Sequence, residues 1–308
     1  DVAGEPSFSF TATITDADGD VDADTHTITI TDGANPQDAA TQSVTLDEDD
    51  LPDGSSTNVP ALTQVATLAF TAGSDTLGSF VFTGIGGLDT DANDGTAGGT
   101  IVWVMSPGDR EIKGYVNGDA MTGQLAITLT LGGATSIDPN LAGNVTVTVT
   151  LADNFANIFA DNLQTSFDLG SVTVQGSDGD DTVTGVVNVT VIDDVPSVEI
   201  APAVADDTPA TDTVAENGAN LSGAITLVEG ADQDATLVIS GTGSADMSFT
   251  LNGAADVTLV RTVMNGPDEL GVLSVTVNAG GAASWTFNPS LDVAGEPSFS
   301  FTATITDA

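Results

Sequence analysis

The chain has 308 residues and carries 45 acidic side chains against three basic ones, so its formal net charge is −42. Hydrophobic residues make up 40% of it, which is enough for packed cores and excludes an acidic disordered tail. The absence of cysteine excludes disulfides and thiolate metal sites. The charge argues against nucleic acid and anionic membranes as partners, and the apolar runs are too short for membrane insertion.

Alternating apolar and polar residues predict strands along almost the whole chain. Residues 8–14, 145–151 and 273–277 alternate with a period of two. Such segments, rich in Val, Ile and Thr and bounded by Gly or Asp-Gly, are typical of half-buried antiparallel strands. A helix-like spacing occurs only at 155–163. We therefore expect an all-β protein made of Ig-like (cadherin-like) antiparallel β-sandwiches in an elongated tandem array.

An internal repeat predicts how the chain is organised. Residues 1–17 and 292–308 are identical, which sets a period of 292 − 1 = 291 residues and indicates duplicated tandem repeats. Within one period, the order strand, Asp-Gly-Asp turn, alternating strand and proline occurs twice, at 13–36 and at 173–196. Each period therefore contains two related domains.

Three parts follow from this organisation. We expect residues 1–36 to be the C-terminal strands of a preceding copy, 37–196 to be the first sandwich, and 197–308 to be a related sandwich truncated before its last strand. The missing strand corresponds to Thr25–Thr31. Because a neighbouring molecule could donate that strand, head-to-tail self-association into a filament or surface layer is one expectation.

The charge balance predicts bound cations. Two carboxylates in contact repel each other by about 1 kcal/mol in water and several-fold more near a protein surface. Only Arg110, Lys113 and Arg261 can offset this repulsion. Several calcium ions are the natural candidates, because calcium takes about 6–8 oxygen ligands and tolerates irregular geometry. A generally acidic, halophile-like surface would explain the net charge, but not the local spacing of the acidic residues.

The acidic residues are concentrated in turns. In the most regular series they occupy every second position around Gly19, which allows the chain to fold back so that several carboxylates meet at one ion. Residues 89–95 begin like an EF-type loop but lack its later glutamate and flanking helices, and an Asx-rich turn is the alternative there. The predicted ligands in these turns are Asp16, Asp18, Asp20, Asp22, Asp24, Asp89, Asp91, Asn93, Asp178, Asp180 and Asp181.

Further acidic residues lie where the predicted domains meet. Ligands drawn from two domains and their linker would fix the angle between the domains, whereas a flexible linker held open by repulsion is the alternative. At one junction we expect Asp178, Asp180, Asp193, Asp194 and Glu216 to come together. At the other junction we expect Asp32 and Asn35 to lie near Asp47 and Glu48.

Several segments resemble the tandem repeats of giant RTX adhesins that bacteria export by type I secretion. The resemblance rests on residues 15–36 (TDADGDVDADTHTITITDGANP), on 176–196 (GSDGDDTVTGVVNVTVIDDVP) and on the starts TLDEDD and TVAENGANLSG. It implies Ig-like repeats that bind calcium within and between domains and hold a distal binding region away from the cell. By this resemblance, the calcium ligands include Asp18, Asp20, Asp178, Asp180, Asp193 and Asp194. The Asp32-Gly33 linker departs from the family's Asp-Asp form, and the glycine-rich RTX nonapeptides are absent.

The sequence favours a structural role over catalysis. His26 is the only histidine, and without cysteine no Ser-His-Asp or His-metal set can be assembled. A glycan- or ligand-binding module is one alternative, because Trp103, Arg110, Lys113 and Tyr115 lie close together, although a hairpin with Trp103 facing inward also fits. We expect a non-enzymatic, calcium-rigidified spacer of a secreted, cell-surface adhesin, whose partners are neighbouring repeats in the same polypeptide.

Overall fold

A computed structural model describes residues 6–31, 33–52, 54–55, 62–90, 100–155, 166–203, 211–231, 235–251, 253 and 255–306. In these ranges the chain forms β-strands and one 3-10 turn, Glu48–Asp50, and contains no α-helix. The expected all-β sandwich fold is confirmed. The helix-like spacing at 155–163 lies outside the described residues from position 156 onward. No helix in the described part of the chain has the length and hydropathy needed to cross a bilayer.

A first β-sandwich encloses one hydrophobic cluster. Its strands are β3 (Gln42–Asp47), β4 (Thr63–Thr71), β5 (Leu77–Phe82), β6 (Val102–Met105), β7 (Glu111–Val116), β8 (Gln124–Gly133), β9 (Ser136–Ile137), β10 (Ala142–Leu151), β11 (Ser166–Ser177) and β12 (Thr182–Ile192). One sheet has the order β4–β10–β8–β7–β6 and the other β3–β12–β11–β5–β9. Every second residue of β12 is buried, as its period-two sequence predicts.

The pairing of β3 with β12 is parallel, and it decides which loops meet. Gln42 pairs with Val187 and Asp47 with Ile192. Since parallel strands end at the same edge of a sheet, the residues after β3 and after β12 come together. At the opposite end, the backbone N–H of Ala39 donates to the carbonyl oxygen of Thr184 at 3.0 Å. The chain therefore enters this sandwich at one end and leaves it at the other.

A second pair of sheets encloses a separate hydrophobic cluster. Its strands are β13 (Ser197–Ile200), β14 (Leu221–Val228), β15 (Thr236–Ser240), β16 (Met247–Thr250), β17 (Val257–Asn265), β18 (Asp268–Val277), β19 (Ala283–Pro289) and β20 (Thr302–Thr306). The strand orders are β13–β14–β19–β18–β17 and β16–β15–β20. One residue of this half, Ala231, packs in the first cluster instead.

The duplicated sequence occurs in two different environments. At the N-terminus it forms β1 (Ser7–Thr15), which within the described ranges pairs only with β2 (Val21–Thr29), in an exposed hairpin. Near the C-terminus its second copy includes β20, which pairs with β15. Ile14 is 71% exposed, whereas the equivalent Ile305 is 4% exposed. Identical side chains therefore have a packed core as neighbour in one copy and solvent in the other.

This difference predicts opposite responses to one substitution. We expect Ile305→Ala to lower the free energy of unfolding of the second sandwich by about 2–5 kcal/mol, because it leaves a cavity in the core. In dilute protein, Ile14→Ala should change it by less than about 0.5 kcal/mol. Denaturant unfolding followed by tryptophan fluorescence measures both, in a Trp103→Phe background so that the signal comes from the buried Trp285 of the second sandwich. An equal decrease in the free energy of unfolding in the two variants would contradict the different environments of the two copies.

Candidate metal sites

The turn between β1 and β2 brings three carboxylates together. Asp16, Asp18 and Asp20 each offer an oxygen atom, and these atoms all lie within 4.8 Å of one another. The Oδ1 atom of Asp16 accepts hydrogen bonds from the backbone N–H groups of Gly19 (3.1 Å) and Asp20 (2.9 Å). Gly19 has a φ of 101°, which a residue with a side chain rarely adopts. Among the described residues, this is the one acidic group close enough to hold a metal ion.

The hydrogen bonds of this turn favour its charged form. A hydrogen bond shared with the side chain of Asp18, followed by that from the backbone N–H of Asp20, lowers the pKa of Asp16. The turn therefore holds a negative charge that is exposed to solvent and open to a cation. Three oxygen donors from protein leave room for water molecules in a calcium coordination shell of about 6–8 ligands.

The two remaining members of the series lie outside this cluster. Asp22 and Asp24 lie on β2, opposite Ile14 and Ala12. Each accepts a hydrogen bond from the N–H of the residue that follows it, at 3.0 and 2.9 Å. A strand advances about 3.3 Å per residue, so it carries both side chains away from the turn. The regular spacing predicts all five carboxylates as ligands, whereas three of them come together in the turn.

Three buried carboxylates lie at the end of the first sandwich where β3 and β12 finish. Glu48, Asp193 and Asp194 are each 3% exposed or less. Asp194 accepts hydrogen bonds from the backbone N–H of Ser55 at 2.7 Å and from its hydroxyl. Glu48 Oε1 accepts one from the backbone N–H of Phe155 at 2.7 Å. Two loops, one after Glu48–Asp50 and one after β10, therefore supply hydrogen-bond donors to Asp194 and Glu48.

The basic residues of the chain are engaged in other contacts. Arg110 and Arg261 donate to backbone carbonyl oxygens, and Lys113 forms an ion pair with Glu111 at 2.8 Å. Burying ionised carboxylates is costly unless hydrogen bonds and positive charge compensate for the loss of water. A divalent cation is a source of that charge which does not draw on the three basic side chains.

The same end of the first sandwich contacts the second half of the chain. Ala231, in the loop after β14, is buried in the first hydrophobic cluster. A Cβ atom added to the adjacent Gly230 would lie 3.6 Å from Asp194 Oδ2. The buried carboxylates thus lie where the linker and a loop of the second sandwich meet the first.

The structure corrects the expected grouping of Asp178 and Asp180 with Asp193 and Asp194. The first pair precedes β12 and the second pair follows it. Because β12 has 11 residues, the two pairs are separated by roughly 35 Å at about 3.3 Å per residue. Within the turn, the backbone N–H of Asp181 donates to Asp178 Oδ1 at 2.9 Å. This turn belongs to the opposite end of the sandwich.

The expected grouping of Asp47 and Glu48 with Asn35 is also wrong. Parallel pairing places Asp47 opposite Ile192, next to Asp193. Asn35 lies before β3, at the other end, where its neighbour Ala34 accepts a hydrogen bond from the Ser74 N–H at 2.8 Å. Asp32, the other expected member of that group, is outside the described residues.

Glu216 and Asp89 have separate surroundings. Glu216 is exposed, and its Oε2 accepts a hydrogen bond from the backbone N–H of Val293 at 3.1 Å. It precedes β14, whose far end pairs with Ser197, so it does not join Asp193 and Asp194 as expected. Asp89 is exposed, and its backbone N–H donates to Leu169 at 2.9 Å. Asp91 and Asn93 are outside the described residues.

The aromatic and basic cluster around Trp103 is largely structural. Trp103 is buried, and its indole N–H donates to the carbonyl oxygen of Asp89. Arg110 donates to the carbonyl oxygens of Phe80 (2.9 Å) and Leu131 (3.2 Å). Trp103 therefore contributes to the core and does not offer an exposed ring to a glycan.

No protein-family model matches this chain, and no curated protein matches it. The resemblance to adhesin repeats therefore rests on the sequence motifs alone.

The turn cluster predicts a metal site that two substitutions remove. We expect Asp18→Asn with Asp20→Asn to abolish one calcium site, because both lose a ligand charge. The control, Asp22→Asn with Asp24→Asn, removes the same charge from β2 and should leave that site intact. Isothermal titration with calcium measures the stoichiometry. Equal losses of binding in the two variants would indicate general charge attraction instead of a defined site.

The pKa of Asp47 predicts that the stability of the fold depends on pH when a chelator has removed calcium. Burial, reinforced by the charges of Asp49 and Asp50, raises the pKa of Asp47 from 3.8 to about 6 even though the Asp49 N–H donates to it. Since its pKa is higher in the folded state, this group stabilises the fold at low pH, and that stability is lost as pH rises through about 6.

Asp47→Asn removes this contribution. Between about pH 5 and pH 7, the variant should lose less stability than the native chain, by about 1 kcal/mol or less because the side chain is partly exposed. Urea unfolding in chelator measures the difference, with Asp268→Asn at the exposed start of β18 as control. Parallel pH profiles for the native chain and Asp47→Asn would refute the assignment.

Proposed function

We propose that this chain is a calcium-stiffened, non-enzymatic spacer segment of a secreted bacterial surface adhesin of the RTX type. The observation that carries the proposal is the burial of Glu48, Asp193 and Asp194 where the linker meets the two halves of the chain. The oxygen atoms of these three acids do not all lie within 4.8 Å of one another, so a cation that binds there would draw them closer together and thereby limit the relative movement of a sandwich and its linker. The sequence resemblance supplies the adhesin context and the extracellular location.

The charge supports a switch between two states of the chain. Where calcium is scarce, repulsion among 45 acidic side chains with three basic ones favours an expanded chain. Where calcium is abundant, it binds the folded form and stabilises it by mass action. Extracellular calcium modules typically have dissociation constants of about 10⁻⁴–10⁻³ M. Export as an expanded chain and folding outside the cell would both follow from the same carboxylates.

Calcium should raise the stability of the chain selectively. At a calcium concentration of about 100 times the dissociation constant, each site adds about 2.7 kcal/mol. We expect thermal unfolding to shift strongly upward in calcium, less in magnesium, and not in chelator. Asp193→Asn with Asp194→Asn should reduce the rise in melting temperature that calcium causes relative to chelator. The control, Asp268→Asn with Glu269→Gln, removes two exposed charges and should show the same rise in melting temperature as the native chain. Equal melting temperatures in calcium and chelator would refute the proposal.

Stiffening requires a separate measurement, because a stable protein can still be hinged. The chain has no cysteine, so Thr130→Cys and Asn288→Cys place one spin label on each sandwich. Electron–electron distance measurements should give one narrow distribution in calcium and a broad one in chelator. A broad distribution in both conditions, with a calcium-dependent melting temperature, would leave calcium binding intact but exclude the spacer mechanism.

A further inference from the structure

The β1–β2 hairpin carries an apolar face that has no partner among the described residues. Phe8, Phe10 and Ile14 are each more than half exposed. Phe8 pairs across the hairpin with Ile28, which is also exposed, and the ring of Phe10 lies 5.8 Å from that of His26. Contiguous exposed apolar groups of this kind mark interaction surfaces.

The second copy of the same sequence identifies the surface that fits this face. The Phe299 ring lies 4.9 Å from that of Phe287, the Phe301 ring lies 5.6 Å from that of Trp285, and Ile305 is buried. These side chains are equivalent to Phe8, Phe10 and Ile14 by the shift of 292 − 1 = 291 residues. The partner surface is therefore the inner face of the second sandwich beside β15.

We propose that the hairpin docks on the second sandwich of a second copy of this chain, with β1 in the place of β20 and β2 added beyond it. The sheet then has the order β16–β15–β1–β2, in which the first two strands come from one molecule and the last two from another. This inference is independent of calcium.

The backbone of β1 is compatible with strands on both sides. The hydrogen-bonded pairs at the two ends of the hairpin join Pro6 with Ile30 and Asp16 with Asp20. In an antiparallel ladder these pairs recur at every second residue. The even-numbered residues of β1 therefore direct their backbone groups toward β2, and the odd-numbered residues direct theirs to the outer edge.

The pairing of β20 uses that outer edge. The N–H of Leu251 donates to Ala235, so the odd-numbered residues of β15 face β16 and the even-numbered ones face β20. The residues of β20 that pair with them are Thr302, Thr304 and Thr306, equivalent to Thr11, Thr13 and Thr15. One strand of this sequence can thus bind β15 through one edge and β2 through the other.

The energetics favour an exchange that depends on protein concentration. Replacing β20 by β1 exchanges identical side chains, so the contacts with β15 are nearly neutral. Additional binding free energy comes from β2, which extends the sheet and covers the outer edge of the strand that replaces β20. The entropy lost on association opposes this gain. Because the donating and accepting surfaces differ, the contact is head-to-tail and leads to open chains of molecules.

Two triple variants of the full chain test this exchange with the same substitutions. Phe8→Ser, Phe10→Ser and Ile14→Ser remove the donor face and should weaken association, measured by sedimentation velocity over a range of concentrations, by at least about a hundredfold. Phe299→Ser, Phe301→Ser and Ile305→Ser weaken the competing internal strand, so association should be as strong as in the native chain or stronger. A native chain that stays monomeric, or equal weakening by both triplets, would overturn the proposal.

Disulfide trapping tests the register and does not rely on the folding of those variants. If β1 takes the place of β20, Thr13 lies opposite Val238, as Thr304 does, at about 5.5 Å between Cα atoms, within disulfide range. Thr13→Cys with Val238→Cys should form a ladder of covalent oligomers. Ser9→Cys with Val238→Cys, four residues out of register, should not. A crosslinked monomer would indicate closure within one chain and overturn the proposal, as would equal ladders from both pairs.

Discussion

Repulsion between carboxylates is the constraint on which this structure depends. The chain has 45 acidic side chains and three basic ones, and the three basic groups contact backbone carbonyls or a neighbouring glutamate. Packing hydrophobic residues into sandwiches does not remove that repulsion, and it leaves Glu48, Asp193 and Asp194 buried as well. The basic groups of the chain therefore do little to offset the repulsion between its carboxylates.

Much of the fold could be predicted because its determinants are local. Period-two alternation identifies strands such as β12 without knowledge of their partners, and the carboxylates around Gly19 meet because one tight turn brings them together. The spacing of Asp22 and Asp24 continues the series and so predicts that they join it. The hairpin ladder, which begins at Val21, carries them away, and where a turn ends and a strand begins is poorly determined by spacing.

The grouping of the junction residues could not be predicted because it depends on a non-local contact. Asp47 and Asp193 are far apart in sequence and meet only because β3 pairs in parallel with β12. A sequence pattern that identifies two strands does not say whether they run in the same direction. Antiparallel pairs are the more frequent arrangement, whereas here the parallel pairing places Asp47 at the end of the sandwich away from the preceding linker.

The parallel alignment of β3 and β12 also has a mechanical consequence. The chain enters the first sandwich before β3 and leaves it after β12, so the two points where tension would act lie at opposite ends of two adjacent strands. Pulling along the chain therefore slides these strands past each other in shear and loads the hydrogen bonds of all six residue pairs at once. A hairpin pulled from its open end separates one rung at a time. The topology that brings the ends of β3 and β12 together therefore also resists stretching better than a hairpin does.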